Sequence, residues 1–285
     1  MTTVDQAAVA EIVAAALAED LGGPDGVDVT SVATIPADQV DTADLVARAP
    51  GVVAGLAVAA EVFNQATRGA ARFEAVVNDG DVIHQGDILA TVTGPTRGLL
   101  TAERTALNLL CRMSGVATHT RAWAAELAGT KAMVLDTRKT TPGLRVLEKY
   151  AVRVGGGTNK RMGLYDVAMV KDNHKLAAGG VAAAYHRVRS AFPDVPVQVE
   201  VTTVAEAVEA VDAGATFLLL DNMSPALLRE VVAAVGGRAE LEATGGLTLD
   251  VARMYAETGV DYLSVGALTH SSPIVDIALD IRPTR

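Results

Sequence analysis

Residues 152–166 read VRVGGGTNKRMGLYD, with three consecutive glycines directly before Lys160 and Arg161. Glycine lets backbone approach a ligand closely, and two adjacent cations suit an anion. Residues 138–175 carry nine basic side chains (Arg138, Lys139, Arg145, Lys149, Arg153, Lys160, Arg161, Lys171, Lys175) against three acids, Glu148, Asp166 and Asp172, in a chain of net charge −10. A solvated helix face interleaves both signs, and Arg145, Glu148 and Lys149 fit that pattern. Lys139, Lys160, Arg161 and Lys171 do not, because they fall at the ends of short apolar runs or in the glycine loop. At the ends of later runs stand Glu200 and Asp221, which can take ribose hydroxyls, a divalent cation or a developing positive charge. Two further run ends, Thr244-Gly245-Gly246 and Val265-Gly266-Ala267, offer backbone N–H groups to a phosphate. Together these groups specify a substrate with phosphate at one end, a sugar in the middle and more negative charge beyond, which is a phosphoribosyl donor with an acidic acceptor.

The elements that must hold these groups follow from the rhythm of the chain. From about residue 131, short apolar strands recur: AMVLD, AVRVGGG, VAMVKD, VQVEVT, TFLLLDN, AELEATGG and DYLSVGA. Thr203, Ser224 with Pro225, and Thr248 are expected to cap the helices that follow three of them. Glu200, Asp221, Thr244 and Gly266 lie 21, 23 and 22 residues apart. Such a strand–helix repeat with short connections means parallel β/α units, whose working groups sit at the carboxyl ends of the strands. Seven strands are fewer than the eight of a closed (β/α)8 barrel, so the expected fold is an α/β chain ending in an incomplete, seven-stranded barrel. Before it, DLVARAPGVVAGLAVAAEVFNQA reads as strand, turn and helix, and ARFEAVVNDGDVIHQGDILATVTGP reads as hairpin strands with Asp-Gly and Gly-Asp turns. A long helix is expected from Thr101, with Thr101 and Glu103 at its capped start. The expected division is an N-terminal α/β sandwich domain over residues 1–115 and the barrel with the site over 116–270, with 271–285 returning to the first domain.

Composition narrows the partners. The chain has 285 residues, half of them apolar, and a mean hydropathy of +0.28, enough for a large core. Its acidity argues against a nucleic acid or an anionic membrane surface. One cysteine, Cys111, rules out an internal disulfide and fits a reducing cytosol. The first 22 residues have helical apolar spacing and no basic start, so they read as an amphipathic helix and not a signal peptide. No uncharged run reaches the length of a membrane span. A cytoplasmic protein is expected. His174 has no cysteine or second histidine at ligand spacing, so no zinc site is expected. A Schiff-base role for Lys139 or Lys171 would leave the arginines without a task.

The segments TAERTALNLLCRMSGVAT, DTRKTTPGLRVLEKYAVRVGGGTNKRMGLYD, VKDNH, VEVTT, LLLDN and SVGALTHS together resemble the quinolinate phosphoribosyltransferases, and the match runs from the N-terminal helix to about residue 272. The resemblance implies a glycosyltransferase of pyridine nucleotide (NAD) biosynthesis that joins quinolinate to phosphoribosyl pyrophosphate with decarboxylation. It implies Mg2+ as cofactor, held by Glu200 and Asp221 mainly through substrate and water. It also implies a homodimer, able to assemble further, with Arg104 reaching the neighbouring subunit's site. By the same resemblance Thr137, Arg138, Lys160 and Arg161 lie at the acceptor, with Arg138 and Arg161 on its two carboxylates. Lys139 and Lys171 meet the diphosphate and ring, Glu200 and Asp221 the ribose or metal, and residues 244–246 and 265–267 the 5-phosphate. Lys139, Lys171, Glu200 and Asp221 are then the catalytic set. Two positions depart from the family pattern: Thr244 replaces a frequent serine, and Asn159-Lys160-Arg161 replaces Asn-His-Arg. Lys160 is expected to add a compact charge beside the clamped acceptor. The alternative function is that of a paralogous phosphoribosyltransferase with another anionic acceptor, as in relatives encoded with molybdate transport.

Overall fold

The computed structural model describes residues 3–282. In chain order they form α1 (Gln6–Leu21), α2 (Val29–Thr34), β1 (Val40–Ala47), β2 (Gly51–Val52), α3 (Leu56–Ala66), β3 (Arg72–Ala75), β4 (Val82–Ile83) and β5 (Ile88–Pro95). There follow α4 (Thr96–Glu126), β6 (Met133–Leu135), α5 (Arg145–Val154), β7 (Ala168–Val170), α6 (Asp172–Ala178), α7 (Val181–Ala191), β8 (Val197–Val201) and α8 (Val204–Asp212). The remaining elements are β9 (Phe217–Asp221), α9 (Pro225–Val235), β10 (Glu240–Thr244), α10 (Leu249–Ala256), β11 (Tyr262–Ser264), α11 (Ala267–His270) and β12 (Ile277–Ile281). They divide into two compact units. The first holds the chain up to Arg121, Thr140–Gly156 and the stretch from Leu268 onward; the second holds Ala122–Lys139 and Gly157–Ala267. Residues 140–156, read from sequence as barrel, therefore cluster with the first unit. No helix among the described residues is long and apolar enough to cross a membrane.

In the first unit an antiparallel sheet runs in the order β12-β1-β5-β3, with Leu45 opposite Leu279 and Ala90. The C-terminal stretch thus supplies an edge strand to the strand that begins the domain. Helix α1 starts because the carboxylate of Asp5 accepts from Ala7 and Ala8 N–H, and it stops where Gly22 turns left-handed at φ 77°. Its Val9 and Val13 and the Val58, Val62 and Phe63 of α3 are fully buried, each contributing about 1.5–3 kcal/mol. Helix α4 begins at Thr96, not Thr101. Thr96 follows the last residue of β5 and anchors itself by donating its hydroxyl to Asp41 at 2.6 Å, whereas the Thr101 hydroxyl turns back to the Arg97 carbonyl at 2.8 Å.

The second unit is an incomplete barrel of parallel strands, ordered β6-β11-β10-β9-β8-β7. It has six strands where the sequence suggests seven. The run AVRV lies inside α5, whose Leu147, Tyr150 and Ala151 are buried at helical spacing; the alternation of alanine and valine mimics a strand over four residues only. The same helix buries Glu148 and Lys149 completely, so neither belongs to a solvated face. Glu148 is held by Arg112 Nη2 at 2.8 Å and by the Thr141 hydroxyl at 2.8 Å. What remains of the seventh strand is one bridge, Thr158 beside Leu135 in β6. Among the described residues nothing pairs on the far side of Thr158, so the seam between Thr158 and β7 is left to the Lys160–Arg161 loop.

Residues paired in a parallel sheet point to the same face. Glu242 pairs with Tyr262 and Leu219, and Leu219 with Glu200, so these four share one face of the sheet. Between them Val199, Leu218, Leu220, Ala243 and Leu263 are almost wholly buried on the face that packs beneath helices such as α7 and α8. Thr203 and Ser224 cap α8 and α9 by accepting from Glu206 and Leu227 N–H; Thr248 occupies the cap position of α10 without a side-chain hydrogen bond.

Candidate functional site

The carboxyl ends of the barrel strands carry the chemistry. Asp136, directly after β6, is fully buried and accepts from Lys160 N–H and from Asn159 Nδ2, each at 2.7 Å. This pulls the loop after the glycine triplet onto the barrel. Farther along, Asp166 accepts from Met162 N–H at 2.6 Å and Gly163 N–H at 3.1 Å. Burial would raise its carboxyl pKa, but these N–H groups outweigh burial and hold it below the usual value.

Between the two anchors sits Arg161, whose Nη1 donates to the Val167 carbonyl at 2.9 Å. Burial, reinforced by the charge of Arg138, pushes its pKa below the ordinary arginine value. Two guanidiniums brought this close, the charge of one acting on the other, make a site for an anion. Arg138, Arg161, Lys171 and His174 line one cavity of about 570 Å3, whose apolar walls include Ala168, Met169 and Val170. Thr137 and Lys139 complete the turn after β6, where the Thr137 hydroxyl accepts from Lys139 N–H at 3.0 Å.

Lys171 follows β7 and reaches Glu200 Oε2 at 2.8 Å; Glu200 is nearly buried, whereas the lysine side chain is half exposed. His174 Nδ1 accepts from Lys171 N–H at 3.0 Å, a helix-start role that no metal is needed to explain. On the next strand Asp221 is paired with Thr244, and its Oδ2 accepts from Asn222 Nδ2 at 2.9 Å. Gly245 is required there: at φ 101° a Cβ would stand 2.2 Å from Asn222 Oδ1. The turn thus brings Asp221, Thr244, Gly245 and Gly246 together. Val265, Gly266 and Ala267 form the neighbouring turn after β11, with Val265 N–H donating to the Leu135 carbonyl at 2.9 Å. Arg104 lies in the first unit, exposed on α4.

Lys160 turns inward. Its ammonium pairs with Oε1 of Glu242, and the two side chains are 11% and 0% exposed. Oε2 of Glu242 accepts from Gln198 Nε2 at 2.5 Å. Burial pushes the Lys160 pKa below the ordinary lysine value, and the charge of Glu242 opposes that shift. Glu242 and Gln198 escape a reading that looks only at strand ends. Their signal is parity: Glu242 alternates with apolar Leu241 and Ala243 in the middle of a buried strand, where a charge needs a partner.

Family models match nearly all of this framework: the N-terminal domain of quinolinate phosphoribosyl transferase over residues 28–114 and its C-terminal domain over 116–280. The chain belongs to the quinolinate phosphoribosyl transferase family. Relatives from distant organisms match more than nine-tenths of its length. A nicotinate-nucleotide pyrophosphorylase (carboxylating) of Mycobacterium leprae is 49% identical over 93% of this chain and 94% of its own. A decarboxylating quinolinate phosphoribosyltransferase of Nicotiana tabacum is 41% identical over 95% of this chain and 81% of its own. The solved nicotinate-nucleotide pyrophosphorylase of Francisella tularensis is 35% identical, superposes with a TM-score of 0.92 and covers 98% of both chains. Within the family framework, Arg138, Arg161, Lys171, Glu200 and Asp221 all fall in the C-terminal domain, and Arg104 in the N-terminal one.

The donor set also bears on a divalent cation. Among the described residues no cluster of three or more histidines, cysteines or acids could hold a metal ion. Glu200 and Asp221 are two hard carboxylates on neighbouring strands, with one oxygen of each engaged by Lys171 or Asn222. That fits Mg2+, which dehydrates reluctantly and is commonly held by one or two carboxylates plus substrate phosphates and water.

Proposed function

We infer that this chain transfers the phosphoribosyl group of phosphoribosyl pyrophosphate to quinolinate with decarboxylation, giving nicotinate mononucleotide, pyrophosphate and CO2 in de novo NAD biosynthesis. The observation that carries the reading is the cavity shared by Arg138, Arg161 and Lys171 beside Glu200. Paired guanidiniums give bidentate recognition of carboxylates, and the walls of Ala168, Met169 and Val170 suit a flat ring.

As pyrophosphate departs, the anomeric carbon becomes cationic, and Glu200 and Asp221 favour that charge while Lys139 and Lys171 favour the leaving group. Backbone N–H groups of residues 244–246 and 265–267 hold the 5-phosphate. Once the ring nitrogen is alkylated, its positive charge stabilises the electron pair left on the ring carbon when the adjacent carboxylate leaves as CO2, and that carbon then takes up a proton from water. What the protein supplies to that step is a ring held still, and Arg138 and Arg161 do this. Glu200 and Asp221 would hold Mg2+ through water and diphosphate, where the metal's charge would favour departure of pyrophosphate.

The reading extends to a cytoplasmic homodimer in which Arg104 of one subunit serves the acceptor site of the other. The exposed position of Arg104 on α4 supports this extension. Pyrophosphate release with Mg2+ should require quinolinate and should not occur with nicotinate; the opposite preference would retire the acceptor assignment. Arg104→Ala and Lys139→Ala should each lose most turnover, and mixing them should restore part of it through hybrid dimers. No restoration after verified subunit exchange would put Arg104 outside the site.

A further inference from the structure

We infer that Lys160 serves the acceptor end as a positioning residue: its charge answers the buried carboxylate of Glu242, and the pair, with Gln198, braces the backbone that leads into Arg161. The inference rests on the phosphoribosyl-transfer reading above and gives Lys160, Glu242 and Gln198 one joint task.

Residue 160 is fixed at both ends by acids from different strands. Its N–H donates to Asp136 after β6, and its ammonium meets Glu242 in the middle of β10. These two tethers hold the loop that follows Thr158 to the end of β6 and to the middle of β10. Arg161 follows immediately, so its direction into the cavity depends on where residue 160 is held. Glu242 needs the arrangement as much as the loop does. It is fully buried, and a carboxylate there requires a counter-charge and hydrogen bonds on both oxygens. Lys160 answers Oε1 and Gln198 answers Oε2.

The other polar groups facing Glu242 do not replace the lysine. Tyr262 stands opposite on β11, Glu200 shares the same face from β8, and Glu240 lies two residues earlier on the same strand. Arg161 feels Glu242 electrostatically but donates to Val167 and lines the acceptor cavity. With Lys160 and Glu242 opposite in sign, the cluster adds no net charge to the mouth. Acceptor charge is then read by Arg138 and Arg161, and a lysine at position 160 does not by itself redirect the enzyme to another acceptor.

A double-mutant cycle tests this. Lys160→Met strands Glu242, so the thermal midpoint should fall by on the order of 10 °C. Quinolinate KM should rise about tenfold or more while kcat changes by less than about threefold. Adding Glu242→Gln should recover the midpoint to within about 3 °C and KM to within about threefold. Should Lys160→Met fail to fold, Lys160→Met introduced into the Glu242→Gln background gives the same coupling, with little further change expected. A raised KM that persists in the double variant would mean that the ammonium itself touches the acceptor, and would overturn the inference. So would a Lys160→Met midpoint equal to that of the native protein. The midpoints are measured without substrate, so they stand or fall separately from the acceptor assignment, which native turnover with quinolinate decides.

Discussion

Two lysine–glutamate pairs stand in the same barrel, their acids on β10 and β8 with β9 between them, and they differ in what surrounds them. Lys160 and Glu242 are 11% and 0% exposed; Lys171 and Glu200 are 49% and 9% exposed. In the first pair both charges have left water, so each is committed to the other and exchange for a substrate group would leave a buried ion uncompensated. In the second the ammonium still reaches solvent at the rim of the cavity that Arg138 and Arg161 line, so it can exchange its carboxylate partner for another anion at small cost. Identical residue types therefore perform opposite tasks. On the reading proposed above, one pair fixes the scaffold, and the other stands ready to exchange partners.

The strongest way to break that contrast is to remove the acid of each pair. Glu242→Leu leaves the Lys160 ammonium buried without its partner and should cost about 3 to 5 kcal/mol of stability. Glu200→Leu should cost about 1 kcal/mol or less, because Lys171 relaxes into water, yet should lower kcat by roughly a hundredfold or more. Denaturation midpoints and steady-state kinetics on both variants decide the matter. Equal stability losses would erase the distinction between scaffold and site.

Lys171 sharpens the comparison from the other side. Lys171→Met leaves the Glu200 carboxylate, only 9% exposed, without its ammonium partner but beside the open cavity that Lys171 lines, so the thermal midpoint should move less than in Lys160→Met, by about 5 °C or less. Turnover should fall by roughly ten- to a hundredfold, since the variant loses a cation for the departing diphosphate. A large midpoint loss in Lys171→Met would place it with Lys160 as a structural residue.

The contrast also explains what was legible in the sequence. Groups at strand ends announce themselves, because a glycine or charge that terminates an apolar run has few structural reasons to be there; Lys171, Glu200, Asp221 and the 244–246 turn stand out for that reason, whereas Arg138 is singled out by the family resemblance. The family resemblance added their roles. Groups in the strand interior were not readable in the same way. Glu242 needs its parity within β10 and the approach of Lys160 from the loop after Thr158, and the second of these exists only after folding. The α5 segment failed for a related reason: AVRV alternates like a strand, and only Leu147 and Tyr150 upstream reveal the helical period. Glu148 looked like a solvated charge because its partner, Arg112, lies 36 residues away in sequence.

A third pair lies between the two extremes and should give the smallest effect. Lys175, itself buried, reaches Glu206 at 2.9 Å and Asp172 at 2.8 Å, and Glu206 also accepts from Thr202 N–H at 2.7 Å. This ties the start of α6, just after Lys171, to the start of α8, just after Glu200. For Glu206 burial alone would raise the pKa, but the Thr202 and Lys175 hydrogen bonds overcome it and lower the value. For Lys175 burial alone would lower the pKa, and the two carboxylates overcome it and raise the value. A lowered carboxylate stabilises the fold above its unfolded pKa and loses that contribution as pH falls through the folded value. A raised lysine stabilises below its unfolded pKa and loses the contribution as pH rises through the folded value. The pair is therefore at full strength between about pH 4.5 and 10. Because Glu206 keeps 28% exposure, Glu206→Gln should lower stability at pH 7 by about 1 kcal/mol or less. The gap between variant and native protein should narrow as the pH drops below about 4, where the native carboxylate takes up its proton. Urea midpoints of both proteins at pH 7 and pH 3.5 measure it. A gap that widens in acid would mean that Glu206 is protonated in the native fold and that the strut between α6 and α8 is neutral.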